Sequence, residues 1–314
     1  MGRFVVRRVA STIGVLIAIS IFTFLIFQAI PNGDPALRLA GRTATQTQIE
    51  AIRHTWGFDK PIYIQYLRTM EKIFDGSVVS YNQGFNVEEE IRRDLPVTAS
   101  LALGAGFIWL ALGIVFGALS AWRAGRWLDR GLTVLSMIGV SMPVFFLGAV
   151  LAYYVGDKWG VLPPGDYVKL TEDPWGWLEH LVMPWFALSV LFIGVYSRVL
   201  RSTILDNIND DYVRTARAKG LSERQVMIRH VLRNSLIPII SLWGLDFASV
   251  IGGGAILTES VFNLHGVGQY AAQSVQALDI PSVLVITMFG AFTVVLLSAI
   301  VDVVYAALDP RIRL

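Results

Sequence analysis

The chain has 314 residues, 54% of them apolar and only 16% charged, with a mean hydropathy of +0.56. A soluble globular domain carries about 25% charge, so this composition excludes an ordinary soluble protein and places the chain in a membrane. Cysteine is absent, which excludes a disulfide framework and thiol chemistry, and the net charge of +2 means little until it is mapped along the chain.

A bilayer core about 30 Å thick needs roughly 20 apolar residues per helical crossing. Six stretches are long enough: 9–30, 97–122, 132–155, 181–201, 236–258 and 283–307. They predict an all-α, polytopic fold with six transmembrane helices. The first follows a basic start (Arg3, Arg7, Arg8), as a secretory signal does, but its apolar run is longer and no Ala-x-Ala-like site follows. It reads as a retained anchor.

Loop 31–96 reads as a small helical element. Thr47-Gln-Ile-Glu50 fits a capping box that opens a helix toward Trp56, with Gly57 ending it. Asp59-Lys60-Pro61 fits another helix start, with Pro in the first turn. Asn86-Val-Glu-Glu-Glu-Ile-Arg-Arg93 puts acids first and bases last, which suits a third helix dipole. The element is either a folded cap or a contact for an external partner. Further along, Pro143 and Pro184 are expected to kink the third and fourth spans.

The segment Tyr212–Pro238 is the most patterned part of the chain. Asp210 and Asp211 favour a helix start, and Arg217 and Lys219 suit its last turn. Gly220 falls where a left-handed cap is expected. Ser222-Glu-Arg-Gln225 fits a capping box for a second helix, which runs toward Pro238 at the start of the fifth span. Two short helices therefore meet at Lys219-Gly220-Leu221-Ser222. Small Ala216 and Ala218 permit close approach by another surface, while Arg214, Arg217, Lys219 and Arg224 supply charge. Such a basic loop could simply lie on anionic lipid headgroups, but lipid electrostatics do not require a shaped turn.

Two carboxylates fall inside spans, Asp246 and Asp302, and each must face protein or water. Asp246 precedes Gly252-Gly253-Gly254, glycines that permit close helix approach or local unwinding beside a cavity. Asp246 either lines a substrate path or makes a buried hydrogen bond to a neighbouring helix. Glu259, at the end of the fifth span, is either part of a gate or a helix-end salt link. Asp302 reads as structural, paired with a base.

Alternating segments differ in Lys plus Arg. Sixteen fall in the N-terminus, loop 123–131, loop 198–235 and the C-terminus; ten fall in loops 31–96, 156–180 and 259–282, eight of them in the long loop 31–96. A loop of that length is a weak guide to orientation. The remaining bias puts both termini and loop 198–235 in the cytoplasm.

Thr215-Ala-Arg-Ala-Lys-Gly220 resembles the EAA loop of bacterial ABC importer permeases, and more closely the version in dipeptide and oligopeptide permeases of the B type. The resemblance runs along the chain in order. It takes in Arg7-Arg8 with Pro31-Asn-Gly-Asp-Pro35, then Gly57-Phe-Asp-Lys-Pro-Ile-Tyr-Ile-Gln-Tyr66. Gly252–Phe262, Gly266-Val-Gly268, Asp302-Val-Val-Tyr305 and Leu308–Arg313 complete it. The general consensus begins with Glu where this chain has Arg214, and ends in Leu-Pro where it has Leu232-Arg233. Both departures are usual in the peptide branch. His265 stands where Pro is commoner.

The resemblance implies a type I ABC importer permease fold with an N-terminal span (1–30), an external helical loop (31–96), a five-span core (97–307) and a cytoplasmic tail (308–314). It implies that Tyr212, Arg214, Thr215, Ala216, Arg217, Ala218, Lys219, Gly220, Leu221, Ser222 and Arg224, within loop 202–235, form a coupling helix. That helix would fit a cleft on a cytoplasmic ATPase. The implied partners are a second homologous permease, two ATP-binding subunits that hold ATP and Mg, an external binding protein, membrane lipid and a peptide substrate. Asp246, Gly253 and Glu259 become candidates for the substrate path or gate, and Asp302 and Tyr305 for structural roles. Relatives of this branch also move nickel complexes, glutathione or sugars.

No G-x-x-x-x-G-K-[ST] occurs, so the chain has no P-loop for nucleotide and is not expected to be an enzyme or to need a cofactor of its own. An ion-driven transporter would show more intramembrane ionisable residues and repeated halves. The four histidines (His54, His180, His230, His265) have no metal-ligand spacing. Basic residues follow topology instead of forming one patch, which argues against nucleic acid.

Overall fold

The computed structural model describes residues 2–29, 34–40, 44–80 and 84–308. Everything regular in it is helical: α1 (Gly2–Phe24), α2 (Pro35–Ala40), α3 (Gln46–Trp56), α4 (Ile62–Phe74), α5 (Val87–Trp122), α6 (Trp127–Ser141) and α7 (Val144–Leu151). These are followed by α8 (Pro174–Asn207), α9 (Asp211–Ala218), α10 (Glu223–Gln225), α11 (Arg233–Ser249), α12 (Ile256–Val261), α13 (Val267–Gln276) and α14 (Ile280–Leu308). Among the described residues five helices are long and apolar enough to cross a membrane, and a bent pair makes a sixth crossing when counted as one span.

That pair is the expected third span. It breaks between α6 and α7 by 94°, far more than a kink. Met142 is extended (φ −87°, ψ 119°) and so is Pro143 (φ −62°, ψ 130°), because a proline ring disfavours the helical conformation in the residue before it. Pro184, by contrast, lies within an unbroken α8.

The fifth span also departs from expectation. From Glu223 the helix runs on through a π segment (Val226–Leu232) and α11 into a second π segment (Val250–Gly254). Pro238 therefore lies inside a helix that starts well before it. The span stops at Gly254 and not at 258: Gly253 leaves helical geometry at φ 122°, a conformation open to glycine.

The chain divides into two compact units. The first comprises residues 1–99, 248–256 and 265–314. Its core joins Ile49, Ile52 and Trp56 of α3, Val87 and Ile91 of α5, and Tyr270 and Leu284. Helix α3 begins two residues earlier than Thr47-Gln-Ile-Glu50 suggested, because Thr45 and Gln48 form the capping box instead; Gly57 ends it at φ 69°. Pro61 precedes α4 as its N-cap and does not enter the first turn. The acidic run at Glu88–Glu90 does open a helix, as its charge order suggests. It is the first turn of α5, capped by Asn86, whose Oδ1 accepts from the N–H groups of Glu88 and Glu89 at 2.9 and 3.0 Å. At 1.5 Å per residue, 36 residues make α5 about 54 Å long, so several turns must stand outside a 30 Å core.

The second unit comprises residues 100–247 and 257–264. Here α5, α6 and α8 pack through small residues, as membrane helices do. A Cβ on Gly194 would sit 2.6 Å from the Ser136 carbonyl, and one on Gly117 2.8 Å from that of Ser197. Ser136 and Ser197 share a hydrogen bond of 2.8 Å across the α6–α8 seam.

Candidate functional site

The loop between α8 and α11 is tied off at its neck. Asn207, the last residue of α8, donates through Nδ2 to Ser235 Oγ at 2.9 Å, and Ser235 Oγ donates to the Val231 carbonyl at 2.9 Å. Asp210 is the N-cap of α9 in extended conformation, and Asp211 supplies the acid of its first turn. The turn that follows has Gly220 at φ 79°. Ser222 then caps the next helix with Gln225 in a reciprocal box. Arg217 clasps Glu223 across the turn with two bonds, Nε to Oε1 at 2.9 Å and Nη2 to Oε2 at 3.2 Å. A bidentate pair fixes direction as well as distance.

The loop has two faces. Val213, Ala216 and Val226 are buried. Tyr212, Arg214, Thr215, Arg217, Ala218, Lys219, Gly220, Ser222 and Arg224 are exposed, and Leu221 is half-buried. Ala216 therefore anchors the loop inward and offers nothing to another surface. Ala218 and Gly220 do keep the outer face low, since a Cβ at Gly220 would meet only open space. With Arg217 committed to Glu223, the free basic charge on that face comes from Arg214, Lys219 and Arg224. Arg214 lies 3.5 Å from Asp211, both well exposed, an arrangement worth little.

Asp246 is half-buried on α11. It accepts a 2.7 Å hydrogen bond from the Tyr196 hydroxyl, and Tyr196 is fully buried on α8. A bond to a neighbouring helix is thus present. Tyr196 is itself held by Gly113 of α5, where a Cβ would lie 2.6 Å from the tyrosine Cβ. Nearby in the chain, Trp243 stacks on Phe247 with centroids 5.0 Å apart and donates to the Gly106 carbonyl at 2.9 Å.

Glu259 does not stand at the open end of the fifth span. It sits on the separate short helix α12 and is fully buried. Gly253 is the non-helical residue of the π segment Val250–Gly254, and its neighbour Gly252 packs against Gly290 of α14. Asp302 is half-buried near the end of α14. The side chain of Tyr305 and residues 309–314 fall outside the described residues, as do 30–33 at the Pro31-Asn-Gly-Asp motif. Among the described residues, no three His, Asp or Glu side chains gather as a metal site would require.

Sequence reasoning missed one cluster. Asp129, 4% exposed, accepts from Arg201 Nε at 2.7 Å and Nη2 at 2.8 Å, from the Gly125 N–H at 2.8 Å and from Ser120 Oγ. It bolts the ends of α5, α6 and α8 together. Its one sequence signal is an acid alone among Arg123, Arg126 and Arg130, a poor match for the topology that those bases serve.

Residues 113–314 match the family described as binding-protein-dependent transport system inner membrane component, and residues 1–102 match its membrane component N-terminal family. A probable peptide ABC transporter permease protein of Sinorhizobium fredii is 35% identical over 314 residues, all of both chains. A probable D,D-dipeptide transport system permease protein of Escherichia coli is 36% identical, covering 95% of this chain and 94% of that one. The inward-facing MetNI methionine ABC transporter superposes with a TM-score of 0.53 at 17% identity, over 70% of this chain and 96% of that one; at such identity the likeness concerns fold alone.

Proposed function

The chain belongs to the binding-protein-dependent transport system inner membrane components, the permease subunits of ABC importers, and on that premise we propose that it carries di- and oligopeptides into the cytoplasm by alternating access. The peptide cargo is supported by full-length relatives at about 35% identity that are named as peptide and dipeptide permeases. Both termini and loop 202–235 lie on the cytoplasmic side, in line with the bias in basic residues.

The loop couples the permease to an ATPase. The observation that carries this reading is its built shape: a closed neck, a left-handed glycine between two short helices, a capping box on the second and a bidentate clasp. A patch that only touched lipid would not need them. Two ATP-binding subunits hold ATP and Mg and do the hydrolysis; this chain contributes no catalytic group and no cofactor. Closure of the ATPases would push paired loops together and switch the pathway between two states. A second homologous permease forms the other wall, an external binding protein delivers the peptide, and nucleic acid plays no part.

The importer assembled in proteoliposomes with its binding protein tests the cargo. ATP inside should drive uptake of a labelled dipeptide or oligopeptide, and collapse of ion gradients should leave that uptake intact. Uptake of a sugar or nickel complex with no uptake of any peptide would contradict the peptide reading and leave the importer mechanism standing.

A further inference from the structure

The first unit contains a polar recess of about 220 Å³ to which the reading above gives no role. One wall is the start of α5, with Glu90, Arg93 and Asp94; the other is α13 and the residues just before it, with His265, Tyr270 and Gln273. The Asn86 cap fixes the first turn of α5. Glu90 and Asp94, four residues apart, therefore lie on one face.

Charge in the recess is unbalanced. Among the described residues Arg93 is the only guanidinium lining it, and it serves both acids, Glu90 through Nη2 and Asp94 Oδ1 through Nε at 3.3 Å. Arg93 is itself 66% exposed, whereas the Asp94 side chain is 6% exposed. A buried carboxylate with one long bond to a solvated base is poorly compensated. Across the recess the Tyr270 phenol stays protonated, because burial pushes it up to about 12; it donates to Ser282 at 3.0 Å. His265 is held at φ 58° with its N–H on Gln269 Oε1 at 2.6 Å. The walls thus offer acceptors and one surplus negative charge. The volume equals that of about seven waters at ~30 Å³ each. It falls below that of a drug-sized pocket, and suits the end of a peptide and not its whole length.

We propose that this recess receives the protonated amino terminus of the incoming peptide, with the ammonium against Asp94 and Glu90. The proposal rests on the peptide reading and on the orientation that puts loops 31–96 and 259–282 outside. The ammonium would add a second cation to the one that Asp94 and Glu90 share in Arg93, and Gln273, exposed at the rim, borders the way in.

The test uses the complete importer with its binding protein, ATP and a dipeptide whose first residue carries a photoreactive diazirine. Light should cross-link it to residues 85–94 or 265–273. Acetylating the probe, or the variants Asp94→Asn and Gln273→Lys, should each cut that labelling about tenfold or more, the scale of a charge-assisted contact. Gln273→Lys changes an exposed residue and guards against a misfolded Asp94→Asn. Uptake by wild type with labelling elsewhere, or labelling indifferent to acetylation and both variants, overturns the proposal while the peptide reading survives. No peptide uptake at all sinks the peptide reading, and this proposal with it. Weaker docking of cargo-free binding protein to both variants, with probe labelling unchanged, would assign the recess to a lysine of that protein and refute the cargo role.

Discussion

Two glycine seams in this chain use the same device to opposite ends. In the second unit, α6 and α8 approach through Gly139 and Gly194, and Asp129 and Arg201 bolt the end of the seam. In the first unit, the π segment after α11 approaches α14 through Gly252 and Gly290, and the next residue, Gly253, abandons the helix. Close approach alone decides neither rigidity nor a break. What lies at the end of the seam decides: a buried carboxylate satisfied by a half-buried arginine in one case, a residue free of Cβ constraints in the other.

Breaking the bolt should have the largest effect. Asp129→Ala leaves Arg201 without its partner; because Arg201 is one-third exposed, the cost should be about 2–3 kcal/mol, below the full value for a buried pair. Thermal unfolding of the detergent-purified protein would register it. Gly290→Ala comes next. Its Cβ would stand 2.3 Å from the Gly252 carbonyl, a backbone atom that cannot swing aside, so overpacking should cost about 2 kcal/mol in the same assay. Gly253→Ala sharpens the contrast, since no atom lies within 4 Å of a Cβ there. Only backbone strain remains, about 1–2 kcal/mol; a loss as large as that of Gly290→Ala would show that packing, not conformation, holds the break. Tyr196→Phe should do least, about 1 kcal/mol, because half-buried Asp246 can turn to water. Peptide uptake unchanged in Asp246→Asn would confine that carboxylate to this bond and remove it from the substrate path.

Local chemistry was legible in the sequence and distant pairing was not. Ser222 and Gln225 announce their capping box because both partners lie within one turn, and Gly220 and Gly57 announce left-handed caps because few other residues tolerate them. Thr45 and Gln48 were passed over for a similar pattern two residues on, since Thr and Gln or Glu recur there at the same spacing. The acids after Asn86 carry every mark of a helix start; nothing local says that the helix will continue to Trp122. Pro143 signals a disturbance, but its size depends on what α6 and α7 pack against. Asp129 and Arg201 lie 72 residues apart, and Tyr196 and Asp246 lie 50 apart. No periodicity connects such pairs. The outer face of the loop was readable as basic, whereas the inward turn of Ala216 required the fold.

The central claim is that the loop between α8 and α11 couples this permease to its ATPase. The most direct test is co-purification from native membrane, wild type beside Gly220→Pro, followed by an ATPase assay. Proline locks φ near −65° where this turn needs 79°, so the variant should lose the ATPase that wild type retains. Wild-type protein that purifies intact and stable with no ATPase, or a variant that keeps full activity, would contradict the account.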